Sequence, residues 1–354
     1  MRESDNSLIL RERVLAAIAD KKSLQIIGGN SKAFYGRSIT AEPLHIAEHS
    51  GILHYEPSEL VITARAGTPL AEIETTLAAQ GQMLAFEPPH FGTTATLGGT
   101  VAAGLSGSRR PYAGAVRDVV LGVRLLNGHG DMVKFGGEVM KNVAGFDVSR
   151  LQVGALGTLG VLLDISLKVL PRPETETTLA FSMTEAQALT AMIEYGKKNL
   201  PISAMCFDGE AFNIRLSGAE AAIAKSRQHL GGEVLSPINA ETFWLSVREQ
   251  QHAFFQSETP LWRLSMAPAT AQPKLSGTWF IDWGGALRWL KTEENSETIF
   301  AAMTVVSGSA CRFRSSLGCE FQPLTPELEK LHRNIKRAFD PHGIFNIGRL
   351  YPSW

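Results

Sequence analysis

An apolar run, Leu24-Gln25-Ile26-Ile27, stops at Gly28-Gly29. Asn30, Ser31 and Lys32 follow, and Gly36 closes the stretch. Glycine lets the backbone turn through positive φ and lets another group come close. Successive exposed N–H groups in such a turn can hold an anion. Two more stretches share this texture: Gly98-Gly99 in a run of small residues, and Gly154-Ala155-Leu156-Gly157-Thr158-Leu159-Gly160. Each alone reads as a tight turn, because glycine marks turns generally. Three of them, each joined to a strand or a small-residue segment, point to one anionic ligand cradled by main chain.

Known nucleotide fingerprints do not supply the cradle. A dinucleotide-binding GxGxxG needs a strand before it and a helix after it. Gly36 comes too soon for that helix, and Gly154–Gly160 runs into a strand, Val161-Leu162-Leu163. The P-loop pattern is also absent. Phosphate binding would therefore rest on glycine turns between strands.

Few ionisable groups are placed to do chemistry. His90 precedes the small-residue run, and Arg109, Arg110 and Tyr112 follow it. An arginine can clamp a carboxylate with two parallel hydrogen bonds. Arg109 and Arg110 read equally as that clamp or as surface and interface charges, and His90 reads as the cap of a turn. His229 and His252 stand alone on a helix and a loop. Metal ligation needs convergent ligands, so no metal site is expected.

The elements that would position these groups are legible from periodicity. Residues 8–19 read as an amphipathic helix and 60–66 as a strand. Residues 68–81 read as a helix, with Thr68 as its cap and Leu70, Ile73 and Leu77 as its buried stripe. The run 86–110 loses its bulky side chains and is suited to main chain passing against something flat or charged. Asn127-Gly128 between apolar runs predicts a hairpin. Beyond Pro171 and Pro173 the texture becomes α+β, with helices near 184–198 and 219–230. Strands are expected near 203–207, 211–216, 261–266 and 278–283. A last helix opens at Thr325-Pro326, its apolar face being Leu328, Leu331, Ile335 and Phe339. Trp279, Phe280, Trp283 and Trp289 read equally as core or as a contact surface.

Bulk properties narrow the function. The chain has 354 residues, 44% apolar, 19% charged, with a net charge of −1. Length suggests about two domains. No basic stripe points to nucleic acid, and no apolar run is long enough to span a bilayer. The first residues lack the apolar core of a secretory signal. The three cysteines, Cys206, Cys311 and Cys319, form no C-x-x-C pair. An iron–sulfur cluster usually takes four thiolates, so any such cluster is expected on another chain.

Four segments, in this order, carry a resemblance: GGNSKAFYG, EPPHFGTTATLGGTVAAGLSGSRRPYAGAVRDVVLG, KNVAGFDVSRLQVGALGTLGVLLDISLKVLPRP and FDPHGIFNIGRL. The chain resembles the FAD-binding fold of the vanillyl-alcohol oxidase and para-cresol methylhydroxylase (PCMH) family. Within it, the chain is similar to the smaller FAD-binding subunits of bacterial glycolate oxidases. The resemblance implies that Gly28, Gly29, Asn30, Ser31 and Lys32 hold the FAD diphosphate, with Lys32 either adding charge or staying solvated. It implies that Gly98, Gly99, Thr100, Ala103, Gly104 and Ser106 run along diphosphate and flavin. Gly154, Gly157, Thr158, Leu159, Gly160 and Val161 would meet the adenine side and the flavin edge, and Asn346 would approach the ring. Departures from the family are Ala155-Leu156 where relatives carry a carboxylate, Ile347 where they carry proline, and Arg349 for a frequent lysine. The first loop has no His or Cys for a covalent link, so FAD is expected to be non-covalent.

The implied fold is α+β: a PCMH-type FAD-binding domain of two α/β subdomains over 1–173, a smaller cap over 174–310, and a C-terminal segment, 311–354, returning to the first. The implied function is the FAD-binding subunit of a complex oxidising glycolate, and D-lactate as a further substrate, to the 2-oxo acid. Its partners would be a larger FAD-linked subunit and an iron–sulfur subunit, in the cytoplasm or at the inner face of the membrane. The cap lacks the histidine-rich motif of stand-alone relatives, which fits a chain that needs both partners. No catalytic base is assigned; His90, Arg110 and Arg349 are weak candidates. Two rivals stay open: a stand-alone 2-hydroxy-acid dehydrogenase, and a non-catalytic assembly subunit with a vestigial site.

Overall fold

A computed structural model describes residues 4–137, 148–352 and 354. Part of the third quoted segment, residues 141–147, lies outside the described residues. The fold is α+β and has two regions, each built on one large sheet. In the first, five antiparallel strands lie in the order Ile52–Glu56, Val61–Arg65, Val161–Lys168, Val120–Leu126, Met132–Gly136. The middle strand is buried along nearly its whole length, with Asp164 and Lys168 at its two half-buried positions. At the edge, Met132–Gly136 is half-exposed and carries Lys134. The hairpin between Leu126 and Met132 is held by the Asn127 side chain, whose Oδ1 accepts from the N–H groups of His129 and Asp131, both at 2.9 Å.

Beside this sheet, the strands Leu24–Ile27 and Glu42–His45 pair in parallel. The connection between them contains the first glycine turn. Leu70, Ile73 and Leu77 are buried on the helix Leu70–Ala78, as the spacing predicts. Thr68 does not cap it. Its hydroxyl is taken by the Gly51 backbone, accepting from N at 3.0 Å and donating to O at 3.2 Å, and Pro69 occupies the cap position. The small-residue run is also more regular than expected. Leu97–Ala103 is a short buried helix capped by Thr96. A Cβ at Gly98 would lie 2.7 Å from the Ala66 Cβ, so small residues serve close helix-on-strand packing.

The second region holds nine antiparallel strands, ordered Glu233–Val234, Thr175–Ser182, Ala211–Gly218, Ile202–Phe207, Thr278–Asp282, Leu287–Lys291, Leu261–Ser265, Ser309–Arg314, Glu320–Phe321. Helices Glu185–Gly196, Glu220–Leu230, Pro237–Arg248 and Ser296–Val305 accompany it. Trp279, Phe280, Trp283 and Trp289 are all buried, so within this chain they are core.

The expected return to the first region at residue 311 falls inside the strand Ser309–Arg314. That strand pairs with Leu261–Ser265. The chain therefore stays in the second sheet through Phe321 and leaves it with the helix Pro326–Phe339. Thr325 caps this helix as predicted. Its expected apolar face is only half used, because Leu328 and Leu331 are 46% and 53% exposed. Docking is by the last turn, where Lys336 is buried. Beyond it, Leu24 N–H donates to Ile344 O at 2.6 Å, and Asn346 N–H donates to Leu24 O at 3.0 Å. These two bonds sew the C-terminal segment to the strand that leads into the first glycine turn.

Candidate functional site

A cleft of about 470 Å³ opens between the parallel pair, the short helix and the third glycine turn. Gly28, Gly29, Asn30, Ser31 and Lys32 line it, with Gly98, Gly99, Ala103, Gly157, Gly160, Asn346 and Arg349. The three glycine turns, separated by up to 130 residues in the chain, thus share one cavity. Among the described residues, the backbone N–H groups of residues 29–32 donate to no main-chain acceptor. Asn30 takes a left-handed φ of +59° among them. A turn of free N–H groups around a left-handed residue forms an anion-holding concavity. The main chain there is packed too closely for side chains. A Cβ at Gly29 would land on the Thr94 carbonyl oxygen, and one at Gly157 would lie 2.7 Å from Asn346 Nδ2.

The other expected residues stand behind this lining. Thr100 is buried, and its hydroxyl has no hydrogen-bond partner among the described residues. Gly104 and Gly154 pack against each other. Ser106 Oγ accepts from Val116 N–H at 3.4 Å. Thr158 donates to Ala155 O at 2.7 Å, and Leu159 and Val161 are core. These residues shape the turns, while Gly157 and Gly160 present them to the cleft.

Asn346 and Arg349 act as clamps. Asn346 Oδ1 accepts from Ile26 N–H at 2.8 Å, and its Nδ2 donates to Leu156 O at 2.6 Å. One amide thereby ties the first strand to the third glycine turn. Arg349 donates to the carbonyls of Arg37, Ala33 and Tyr35 at 2.7–2.8 Å. Its guanidinium is committed to holding the first loop in shape, which leaves it no role as a substrate clamp. Lys336 and Asp340, which sequence reasoning missed, complete the arrangement. Lys336 Nζ donates to Thr158 O, Phe345 O and Asp340 Oδ2 at 2.6–2.8 Å. Their four-residue spacing across the end of one helix was the available signal. Thr96 was missed too; its Oγ1 accepts from Gly99 N–H at 3.3 Å.

Lys32 is half-buried and donates to His90 O at 3.3 Å, so it is not a freely solvated side chain. Burial pushes its amine down to about 8, opposed by nearby Glu249. His90 does not cap a turn. Its Nε2 lies 3.0 Å from Glu74 Oε2, and its N–H donates to Glu249. Arg109 is buried between Glu87 and Glu176, which removes it as a clamp. Arg110 stacks on Trp283, 4.2 Å from the ring centre, away from the cleft lining.

Comparison with known proteins agrees with this geometry. Residues 10–136 match the model of the FAD binding domain family. The chain is 48% identical, over 99% of both chains, to the glycolate oxidase subunit GlcE of Escherichia coli. It is 28% identical to the D-lactate dehydrogenase of Archaeoglobus fulgidus over 99% of this chain and 92% of that one. An alkyldihydroxyacetonephosphate synthase shares the fold, with a TM-score of 0.67 at 14% identity, covering 95% of this chain and 73% of that chain. No described helix is long and apolar enough to cross a membrane. The cofactor is FAD, and the chain belongs to the GlcE family of FAD-dependent oxidoreductase subunits.

Proposed function

We propose that this chain is the FAD-binding subunit of a complex that oxidises glycolate, and D-lactate as a further substrate, to the 2-oxo acid. Flavin supplies the two-electron acceptor for such a reaction. In this reading the N–H groups of residues 29–32 hold the diphosphate, and Gly98, Gly99 and Ala103 pass beneath the cofactor. Gly157, Gly160 and Asn346 border its other side. In this reading the link is non-covalent: among the described residues, no histidine or cysteine lines the cleft. Electrons leave to an iron–sulfur subunit, and a larger FAD-linked subunit completes the assembly, at the inner face of the cytoplasmic membrane or free in the cytoplasm. The full-length likeness to GlcE is the observation that carries this reading. The chain's own cysteines are three, buried and free, which fits a cluster located elsewhere.

A second reading has a specific observation behind it: the full-length likeness to a D-lactate dehydrogenase supports a stand-alone dehydrogenase. Co-expression with the two partner subunits separates the two. We expect the purified chain alone to carry FAD yet reduce no dye with glycolate, and the assembled complex to reduce it. Turnover by the isolated chain would overturn the subunit reading in favour of the second.

A further inference from the structure

The cleft is lined by residues from 25 to 162 with Asn346 and Arg349, so it belongs to the first region and the C-terminal segment. A smaller cavity, about 30 Å³, lies between residues 105–108 of the first region and the nine-stranded sheet. It has room for about two waters, so a two-carbon acid enters only as the surrounding side chains give way. Its apolar walls are Phe91, Leu105, Leu287, Trp289 and Phe313. It adjoins the cleft: Tyr35 lines the cleft and packs, tilted by 43°, against Phe313, with ring centres 5.1 Å apart.

Two arginines line this cavity, and they differ in one respect. Arg248 is paired, with Nε 2.8 Å from Glu249 Oε1. Arg263 stacks on Trp283 at 5.1 Å and, among the described residues, meets no carboxylate or carbonyl acceptor. The acid in the same wall is otherwise engaged. Asp282 accepts from Ser108 Oγ at 2.8 Å and from Trp283 N–H at 2.7 Å. Gln250 also lines the cavity, is 3% exposed, and its Oε1 has no hydrogen-bond partner among the described residues. Its backbone takes a left-handed φ of +54°. A non-glycine residue held there marks a position that its surroundings over-determine. A buried acceptor without a partner is expensive. A guanidinium without an acid and an amide oxygen without a donor, in one small cavity, are complementary to a carboxylate with a hydroxyl beside it.

We propose that this cavity is a subsite for a small 2-hydroxy carboxylate, in which Arg263 clamps the carboxylate and the Gln250 amide accepts from the hydroxyl. The assignment rests on the reading of the chain as a 2-hydroxy-acid flavoprotein, and it names groups that reading left open. It replaces His90, Arg110 and Arg349, each of which the structure occupies elsewhere.

The test uses the full chain loaded with FAD and titrated calorimetrically with oxalate, glycolate and acetate. Flavin content and melting temperature are read in parallel. Arg263→Met weakens oxalate by about tenfold or more, the scale of a lost charge-assisted pair. Arg263→Lys, which keeps the charge and loses the fork, falls between, and it is the informative arm where the methionine variant does not fold. Gln250→Leu lowers the preference for glycolate over acetate without changing oxalate by a comparable factor. Arg110→Met, outside the cavity, binds as the wild type does. The proposal is overturned if the flavin-loaded wild type takes up none of these anions, or if Arg263→Met binds oxalate unchanged. Oxalate captured through Arg263, with glycolate oxidised by no assembly containing the chain, supports the subsite and removes the proposed function. Glycolate oxidation by the complex with an unchanged KM in Arg263→Met keeps the function and removes the subsite.

Discussion

The cleft and the junction beneath the nine-stranded sheet are neighbours built in opposite ways. The cleft presents main chain: N–H groups at residues 29–32 that, among the described residues, meet no main-chain acceptor, with glycines where a Cβ would collide. The junction is made of side chains. Glu87 accepts from Arg109 of the first region at 3.0 Å and from Arg215 of the second at 2.7 Å. Two arginines, Arg110 and Arg263, stack on one tryptophan, Trp283. A main-chain cradle fixes its ligand by shape and tolerates no added atoms. A side-chain junction fixes the placement of two regions by charge, and it titrates.

The largest expected effect comes from adding atoms to the cradle. In Gly29→Val the new Cβ has nowhere to go, because the Thr94 carbonyl occupies its place and is itself main chain. We expect the purified variant to elute without flavin, while Gly196→Val, at a helix position where a Cβ meets nothing within 4 Å, keeps it. Absorbance after gel filtration reads the difference. A flavin-loaded Gly29→Val would break the contrast, since the cradle would then be adjustable.

Glu87→Gln comes next and acts on the junction. The carboxylate is partly buried under two guanidiniums, and its backbone is held at a left-handed φ of +48°. Removing one member of a buried ionic cluster leaves its partners uncompensated, at a cost toward the low end of the usual range, about 3 kcal/mol. Urea unfolding of the flavin-loaded protein measures this. Flavin content should stay unchanged, since Glu87 does not line the cleft. Loss of flavin in this variant would mean that the cradle depends on the junction.

The same contrast explains what the sequence disclosed. Main-chain sites write themselves into sequence, because glycine is required where φ is positive or packing is closest. Gly28, Gly99 and Gly157 therefore pointed to one cavity, and they share it. The hairpin at Asn127 and the stripe Leu70-Ile73-Leu77 were legible for a related reason: each is set by local periodicity. The junction was not. Arg263 and Gln250 line one cavity from a strand and a loop whose juxtaposition no local pattern encodes, and only placement beside Glu87 and Glu176 decides between the two readings of Arg109. Much of the second sheet was hidden as well. Its strand Ser309–Arg314 is joined to its partner Leu261–Ser265 across a 43-residue connection, so the boundary at 311 fell inside it. The helix Pro326–Phe339 shows the limit of periodicity itself. Its sequence carries an apolar stripe, but only tertiary docking decided that Lys336 is buried and Leu331 is not.

The smallest effect is the finest test of how dry the junction is. Asp282 is wholly buried, and burial pushes its carboxyl up to about 7, with Glu87 adding to the rise. Hydrogen bonds from Trp283 N–H and Ser108, and the field of Arg215, oppose it. An unfolded aspartate keeps the ordinary value of 3.8. Between about pH 4 and pH 7 the folded chain therefore retains a proton that the unfolded chain has released. Stability must fall as pH rises through that window, by at most about 1.4 kcal/mol per pH unit, and level off above it. Asp282→Asn has no such proton to lose and keeps an acceptor for Trp283 N–H, so its stability should change less from pH 5 to pH 7. The difference between the two urea-unfolding series isolates the one carboxyl from every other titrating group. Parallel series would mean that Asp282 ionises freely, that water reaches it beside Ser108, and that the junction resembles the open cleft more than its packing implies.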